Sequence, residues 1–229
     1  MLGVLLLAWK KTWVRMSLLV LVVTPATAQT PPANWEIAST SNRDGFEYRV
    51  YVETKKTPGR PAFRIEANFD TSPSEAAATL MASMSEESSV TSGERRRVLE
   101  QTPNGALVHT YIDLPFMFSD RELAVQIDHR ADAATGIHRI MWTDANDVLP
   151  PPEGDVLRLE TEGHWEFRPA PRGLTEATYY TQAEVGGSLP SAVGDRLMKG
   201  QAVDAVRRLH RLIAERKRIR VASPPPNLD

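Results

Sequence analysis

The chain has 229 residues, 41% of them hydrophobic, a formal net charge of −2 and no cysteine. That length fits one domain with a sizeable core. The lack of cysteine excludes disulfides, thiolate zinc sites and cysteine nucleophiles.

Residues 1–28 read as a secretory signal. Lys10, Lys11 and Arg15 form a basic region, Ser17 to Val23 is a short apolar run, and Ala26-Thr27-Ala28 fits a small-x-small cleavage pattern. The run is shorter than the roughly 20 residues a spanning helix needs. A chain starting at Gln29, secreted or periplasmic, is therefore expected, and export without disulfides suits a bacterial periplasm or exterior. The signal holds three basic residues and no acids, which leaves 24 basic and 29 acidic residues after it. That balance argues against nucleic acid as a partner. Lys199 to Arg220 runs the other way, with eight basic residues and two acids.

After a polar, proline-containing stretch, Trp35 opens the ordered part. Phe46 to Val52 alternates apolar with charged residues, as a half-buried strand does. Thr57 to Pro61 is a turn, and Ala62 to Asp70 a second strand with Phe63, Ile65, Ala67 and Phe69 on one face. Ser72, Pro73 and Glu75 form a helix start, continued to Met84. Ser85 to Ser92 is polar. Strands then follow at Glu94 to Gln101, Ala106 to Leu114, Arg121 to Arg130, Ile137 to Asp144, Asp155 to Arg168 and Leu174 to Glu184. Turn signals at Pro103-Asn104-Gly105, Gly136, Pro150 to Gly154 and Pro171-Arg172-Gly173 imply an antiparallel meander. A long helix runs from Ser191 to about Ile219, with Val193, Leu197, Val206, Leu209 and Ile213 as its apolar stripe. The tail from Val221 to Asp229 has three prolines and reads as disordered.

This order predicts an α+β domain over residues 29–220. A meander has one face to bury, and the last helix is the element long enough to cover it. Curvature around such a helix leaves an apolar space of the kind small ligands occupy.

Three stretches, in order, resemble START-type lipid-transfer domains. They are Leu114-Pro115-Phe116-Met117-Phe118-Ser119-Asp120-Arg121-Glu122, then Gly163-His164-Trp165-Glu166-Phe167-Arg168-Pro169, then Gly186-Gly187-Ser188-Leu189-Pro190 before the long helix. Asp44-Gly45-Phe46 also fits. The resemblance covers residues 35–215. It implies a helix-grip fold, a curved antiparallel sheet wrapped around the C-terminal helix, with an internal tunnel for a lipid or other apolar molecule. The superfamily also holds polyketide cyclases and other enzymes, so fold alone does not fix function, and a cyclase- or hydrolase-type enzyme is the alternative. Two features depart from the family pattern. Glu122 stands where an aspartate is usual, and Ile127 stands where some sterol and phospholipid binders carry an inward arginine.

The strand from Arg121 puts Leu123, Val125 and Ile127 on one face, with Arg121 and His129 on the same parity. With Tyr111, Trp142, Tyr179, Leu189, Val193 and Leu197 they form the expected ligand-binding set. Phe116-Met117-Phe118 reads as a gate, a membrane-touching tip or a buried loop. An enzyme on this fold would draw its acid or base from Arg121, His129, Asp113 or Tyr111. The five histidines have no zinc spacing. Gly-x-Ser-x-Gly and a phosphate-loop ending are both absent from the sequence. No metal or cofactor is expected. The expected protein is a monomer that binds a lipid or similar apolar molecule, with the basic final helix as a second candidate, beside Phe116-Met117-Phe118, for transient contact with a membrane surface.

Overall fold

The computed structural model describes residues 32–222, apart from 44, 56, 85–92, 115–117, 185 and 188–189. The signal segment, the tail from residue 223, Pro115-Phe116-Met117 and Leu189 therefore lie outside the described residues.

The described chain forms β1 (Trp35–Arg43), β2 (Phe46–Glu53), β3 (Ala62–Phe69), α1 (Pro73–Met84), β4 (Glu94–Thr102), β5 (Gly105–Ile112) and β6 (Arg121–Asp132). It continues through β7 (Ile137–Asp144), β8 (Leu157–Arg158), β9 (Glu160–Pro169), β10 (Thr175–Glu184) and α2 (Ser191–Ala222). One sheet runs in the order β1-β2-β3-β10-β9-β7-β6-β5-β4, and β8 pairs with β6 off that path. The main path is antiparallel throughout, and the two-residue β8 is the parallel exception. With α2 against the concave face, this is the helix-grip fold.

Four details differ from the sequence reading. β1 is a strand, although its polar sequence lacks alternation and it is mostly exposed. It forms as an edge partner of β2, and Trp35 sets its ring edge-on to Tyr180 at 6.1 Å. The stretch Asp155 to Arg168 is two strands, because Leu157 and Arg158 pair with β6 while Glu160 onward pairs with β10. The meander is also interrupted: the last strand returns to lie beside β3, so the first hairpin and the final strand are neighbours. Finally, α2 does not cover the concave face alone, since α1 packs on β7, β9 and α2.

Both helices follow from local chemistry. The Glu75 N–H donates to the Ser72 hydroxyl at 3.3 Å and the Ala76 N–H to the Ser72 carbonyl at 2.9 Å. Pro73 supplies the preset φ of the first turn. Ala76, Ala77 and Leu80 are the buried face of α1. On α2 the buried apolar side chains are Ala202, Val206, Leu209 and Ile213, spaced by four, three and four.

Candidate ligand-binding site

A cavity of about 470 Å³ lies on the concave side of the sheet. Its strand wall comes from Val108, Thr110 and Ile112 of β5 and Leu123, Val125 and Ile127 of β6. These six share inward parity across a paired register, Val108 opposite Val125 and Thr110 opposite Leu123. Leu80, Ser83 and Met84 from α1 close one side. Trp142, Trp165 and Tyr179 close another, with Tyr179 stacked on Trp142 at 5.6 Å and tilted against Trp165 at 4.8 Å.

A glycine makes room for this aromatic wall. A Cβ on Gly163 would stand 2.2 Å from the Trp142 ring and 2.3 Å from the Tyr180 carbonyl. Only the bare Cα lets that ring lie against β9.

The wall also carries charge. Arg96 Nη2 on β4 donates to Glu94 Oε1 at 3.1 Å, and both side chains are mostly buried, at 18% and 13% exposure. Neighbouring inward positions i and i+2 on one strand bring them together. Tyr179 is buried, and that burial pushes its phenol up to about 12. A hydrogen bond with Thr181 works against the rise and the Glu94 charge adds to it. Glu94 and Tyr179 lie on strands far apart in the sheet order, so the sheet curls enough for one charge to act on the other. From α2, Gln201, Asp204, Arg208, Arg211 and Leu212 complete the lining. Gln201, Asp204 and Arg211 are exposed as well, so the cavity opens to solvent on that side.

Of the residues expected from sequence, the cavity brings together Leu123, Val125, Ile127, Trp142 and Tyr179. The others lie elsewhere. Tyr111 has the opposite parity to Thr110 and faces outward, where its hydroxyl donates to the Asp120 carboxylate and Arg95 lies 4.5 Å over its ring. That phenol holds the Asp120 carboxyl below its usual range, helped by the Leu114 N–H. Arg121 is buried beyond one end of the cavity. It donates to the carbonyls of Ser119 and, at 3.3 Å, of Gly186. It thus ties the start of β6 to the glycine pair ahead of α2. His129 lies beyond the cavity lining, with its Nε2 3.1 Å from Nδ1 of His138. Burial, then the His138 charge, lowers its imidazole from the usual value. Val193 is half-buried and Leu197 is 42% exposed, since the buried stripe of α2 starts at Ala202. Asp113 is exposed. None of the four candidate proton-transfer residues therefore lines the cavity.

The lining residues missed from sequence include Val108, Thr110 and Ile112 of β5, Glu94, Arg96 and Thr181, and the α1 and polar α2 positions. A signal was present in β4, where Glu94, Arg96 and Val98 alternate with Arg95 and Arg97. Among the described residues no group of three or more His, Asp or Glu could hold a metal ion. No described helix is long and apolar enough to cross a membrane.

No family model matches the sequence. An uncharacterized protein of Pseudomonas aeruginosa is 27% identical over 95 residues, 42% of this chain. The match spans just under half of that relative, 46% of its length. Solved structures are more informative. The STAR-related lipid transfer protein of Xanthomonas axonopodis superposes with a TM-score of 0.63 at 18% identity, covering 79% of this chain and 99% of that one. Human StAR-related lipid transfer protein 5 gives 0.64 at 16% identity, over 81% and 88%. Human STARD10 gives 0.63 at 15%, over 85% and 79%. These likenesses show that the fold is that of START-type domains.

Proposed function

We propose that this protein takes up one amphiphilic lipid or similar apolar molecule in the concave cavity, outside the cytoplasm, and carries it rather than transforming it. The observation that carries this reading is the cavity itself: about 470 Å³, with a strand wall largely of aliphatic and aromatic side chains that includes the Arg96–Glu94 pair. That volume lies in the roughly 300–1,000 Å³ range of small-molecule sites. The neighbours that share its fold and are named for lipid transfer support the ligand class.

Desolvation supplies the affinity. Each Å² of apolar ligand surface buried contributes about 25 cal/mol. The wall of Val108, Ile112, Leu123, Val125 and Ile127 fits an alkyl or ring body. Glu94 and Arg96 fit one polar group that both donates and accepts, because a ligand without one would strip water from the pair and return no hydrogen bond. Ile127 stands where some sterol and phospholipid binders carry an inward arginine, and the charged pair of this strand wall is Glu94 and Arg96 on β4. Export rests on the signal read in residues 1–28. An exported chain whose intact mass begins at Gln29 would support it, and one retaining residue 1 in the cytoplasm would overturn it.

Native mass spectrometry of the purified protein, followed by solvent extraction, tests the carrier reading. A co-purified amphiphile at near one per chain is expected. A clean apo mass, with no uptake from a total lipid extract, would sink the proposal.

A further inference from the structure

A second space of about 440 Å³ lies beside the first turns of α2, again within the roughly 300–1,000 Å³ of small-molecule sites. Its floor is Val52 of β2 with Pro61 and Phe63 of β3. Small side chains make the room, since Ala38 of β1, Ala62 of β3 and Ala192 of α2 also line it. The space is separate from the concave cavity. At about 100° per residue, Ala192, Arg196 and Lys199 occupy one side of α2. Met198, Gln201, Ala205 and Arg208, which line the cavity, occupy the nearly opposite side. The helix is thus a wall of both.

The two walls of this space carry opposite charge that the protein itself leaves unmatched. Arg196 and Lys199 stand on the helix wall and Glu53 on the strand wall. Lys199 and Glu53 are half-buried, and Arg196 is exposed. Among the described residues none of these three has an ion pair or a side-chain hydrogen bond, whereas Asp195, the other charge of the helix wall, has an interaction of its own. A wholly apolar guest on this floor would strip water from Lys199 and Glu53 and return no hydrogen bond. A simple anion would suit the helix wall but meet Glu53, and a simple cation would suit Glu53 but meet Arg196 and Lys199. A guest with both signs, one at each end of an apolar body, satisfies both walls and covers Val52 and Phe63.

We propose that this space binds a short apolar peptide as its zwitterion, with the carboxylate on Arg196 and Lys199, the ammonium on Glu53 and the side chains on Val52 and Phe63. The site does not depend on the carrier reading, because its guest and the cavity's guest lie on different sides of α2.

The test is calorimetric titration of the full chain with leucylphenylalanine, its N-acetyl form, which lacks the ammonium, and its C-terminal amide, which lacks the carboxylate. The free dipeptide should bind about tenfold more tightly than either blocked form, as loss of a hydrogen bond between charged groups implies. Glu53→Gln should weaken the free dipeptide several-fold and leave the acetyl form unchanged or tighter. Arg196→Gln/Lys199→Gln should weaken the free dipeptide several-fold and leave the amide unchanged or tighter. Ala192→Trp, at an exposed position of the helix, should abolish dipeptide binding while lipid loading stays as in the parent. Val125→Phe, in the other cavity, should leave dipeptide binding intact. No heat with the free dipeptide, or equal binding of all three forms, would overturn the proposal. So would binding that Val125→Phe abolishes and Ala192→Trp spares, which would put the peptide in the concave cavity. Acetyl-form binding that exceeds the free dipeptide's in the parent would make the guest a plain anion and overturn it too.

Discussion

On β2 and β3 the concave face presents Phe46, Tyr48, Val50, Phe63, Ile65 and Phe69, all buried; on β5 and β6 it presents Val108, Thr110, Ile112, Leu123, Val125 and Ile127, with no ring among them. The same helix lies against both halves. Toward the first it turns His210, stacked on Phe46 at 4.0 Å. Toward the second it turns Gln201, Asp204 and Arg208. Side-chain volume therefore separates a part of the curved sheet that is filled, around Phe46 and Phe69, from a hollow part on β5 and β6 that can receive a guest; a second space of about 440 Å³ opens at the other end of β2 and β3, beside Val52, Phe63 and the first turns of α2. Close packing is felt to the last methylene, so the hollow half is a property of its residues as much as of the fold.

The largest effect should come from emptying the filled half. Phe69 is fully buried against Phe46 and Trp165. Phe69→Ala should cost about 3–5 kcal/mol, read as a lower denaturant midpoint at unchanged slope. Leu123→Ala in the cavity wall should cost about 2 kcal/mol, the low end for such changes, because one side of Leu123 already faces empty space. Equal losses would erase the distinction between the halves.

Filling the hollow half should do the converse. Val125→Phe should destabilise by less than about 1 kcal/mol, whereas Ile65→Phe in the filled half should cost about 1–3 kcal/mol from overpacking. Ligand uptake should fall at least about tenfold in Val125→Phe, since the ring takes volume from a cavity near the small end of the usual range. Gly163→Ala should reduce uptake in the same direction by pushing the Trp142 ring into the cavity. Unchanged loading in both variants would place the ligand elsewhere.

A third test separates the charged wall from stability. Arg96→Leu removes the cation paired with a mostly buried Glu94 and should cost about 2 kcal/mol, below the value for a fully buried pair because both groups retain some water. Glu94→Leu/Arg96→Leu should return stability to near the parent while weakening uptake of a polar-headed ligand. A double variant that binds such ligands unchanged would remove the pair from the site.

The two halves were not equally legible in the sequence. Leu123, Val125 and Ile127 declared themselves because their strand alternates cleanly with Glu122, Gln126 and Asp128. The neighbouring strand does not declare its face. Leu107, His109 and Tyr111 interleave with Val108, Thr110 and Ile112, and choosing the larger ring reversed the parity, which moves every side chain to the other side. Glu94 and Arg96 sit in a strand of consecutive charges that reads as a solvated edge; only the curl of the sheet, which brings β4 toward Tyr179, turns one of its faces inward. The stripe of α2 was read as starting at Val193, but the buried stripe starts at Ala202. Long-range closure decided what local periodicity left open.

The smallest effect is expected from protons, and it again separates the halves. His210, packed on Phe46, has its imidazole lowered from the usual 6.5 by burial first and by Arg211 second. His129 is lowered by burial and by His138. For such a group the unfolded chain takes up the proton first as pH falls through 6.5, so the unfolded state binds more protons and stability declines toward acid. The contribution is fully present above 6.5 and is lost below it. The melting temperature should therefore be lower at pH 5.5 than at pH 7.5 on the scale of these ordinary histidine values, and His210→Gln should flatten part of that slope. Replacing the half-buried His109 of the outer face, whose Nε2 lies 3.1 Å from Glu122, should leave the His210 share of the slope in place. If His210→Gln left the whole slope intact, the acid sensitivity would belong outside the filled half, and the stacked imidazole would count there only as packing.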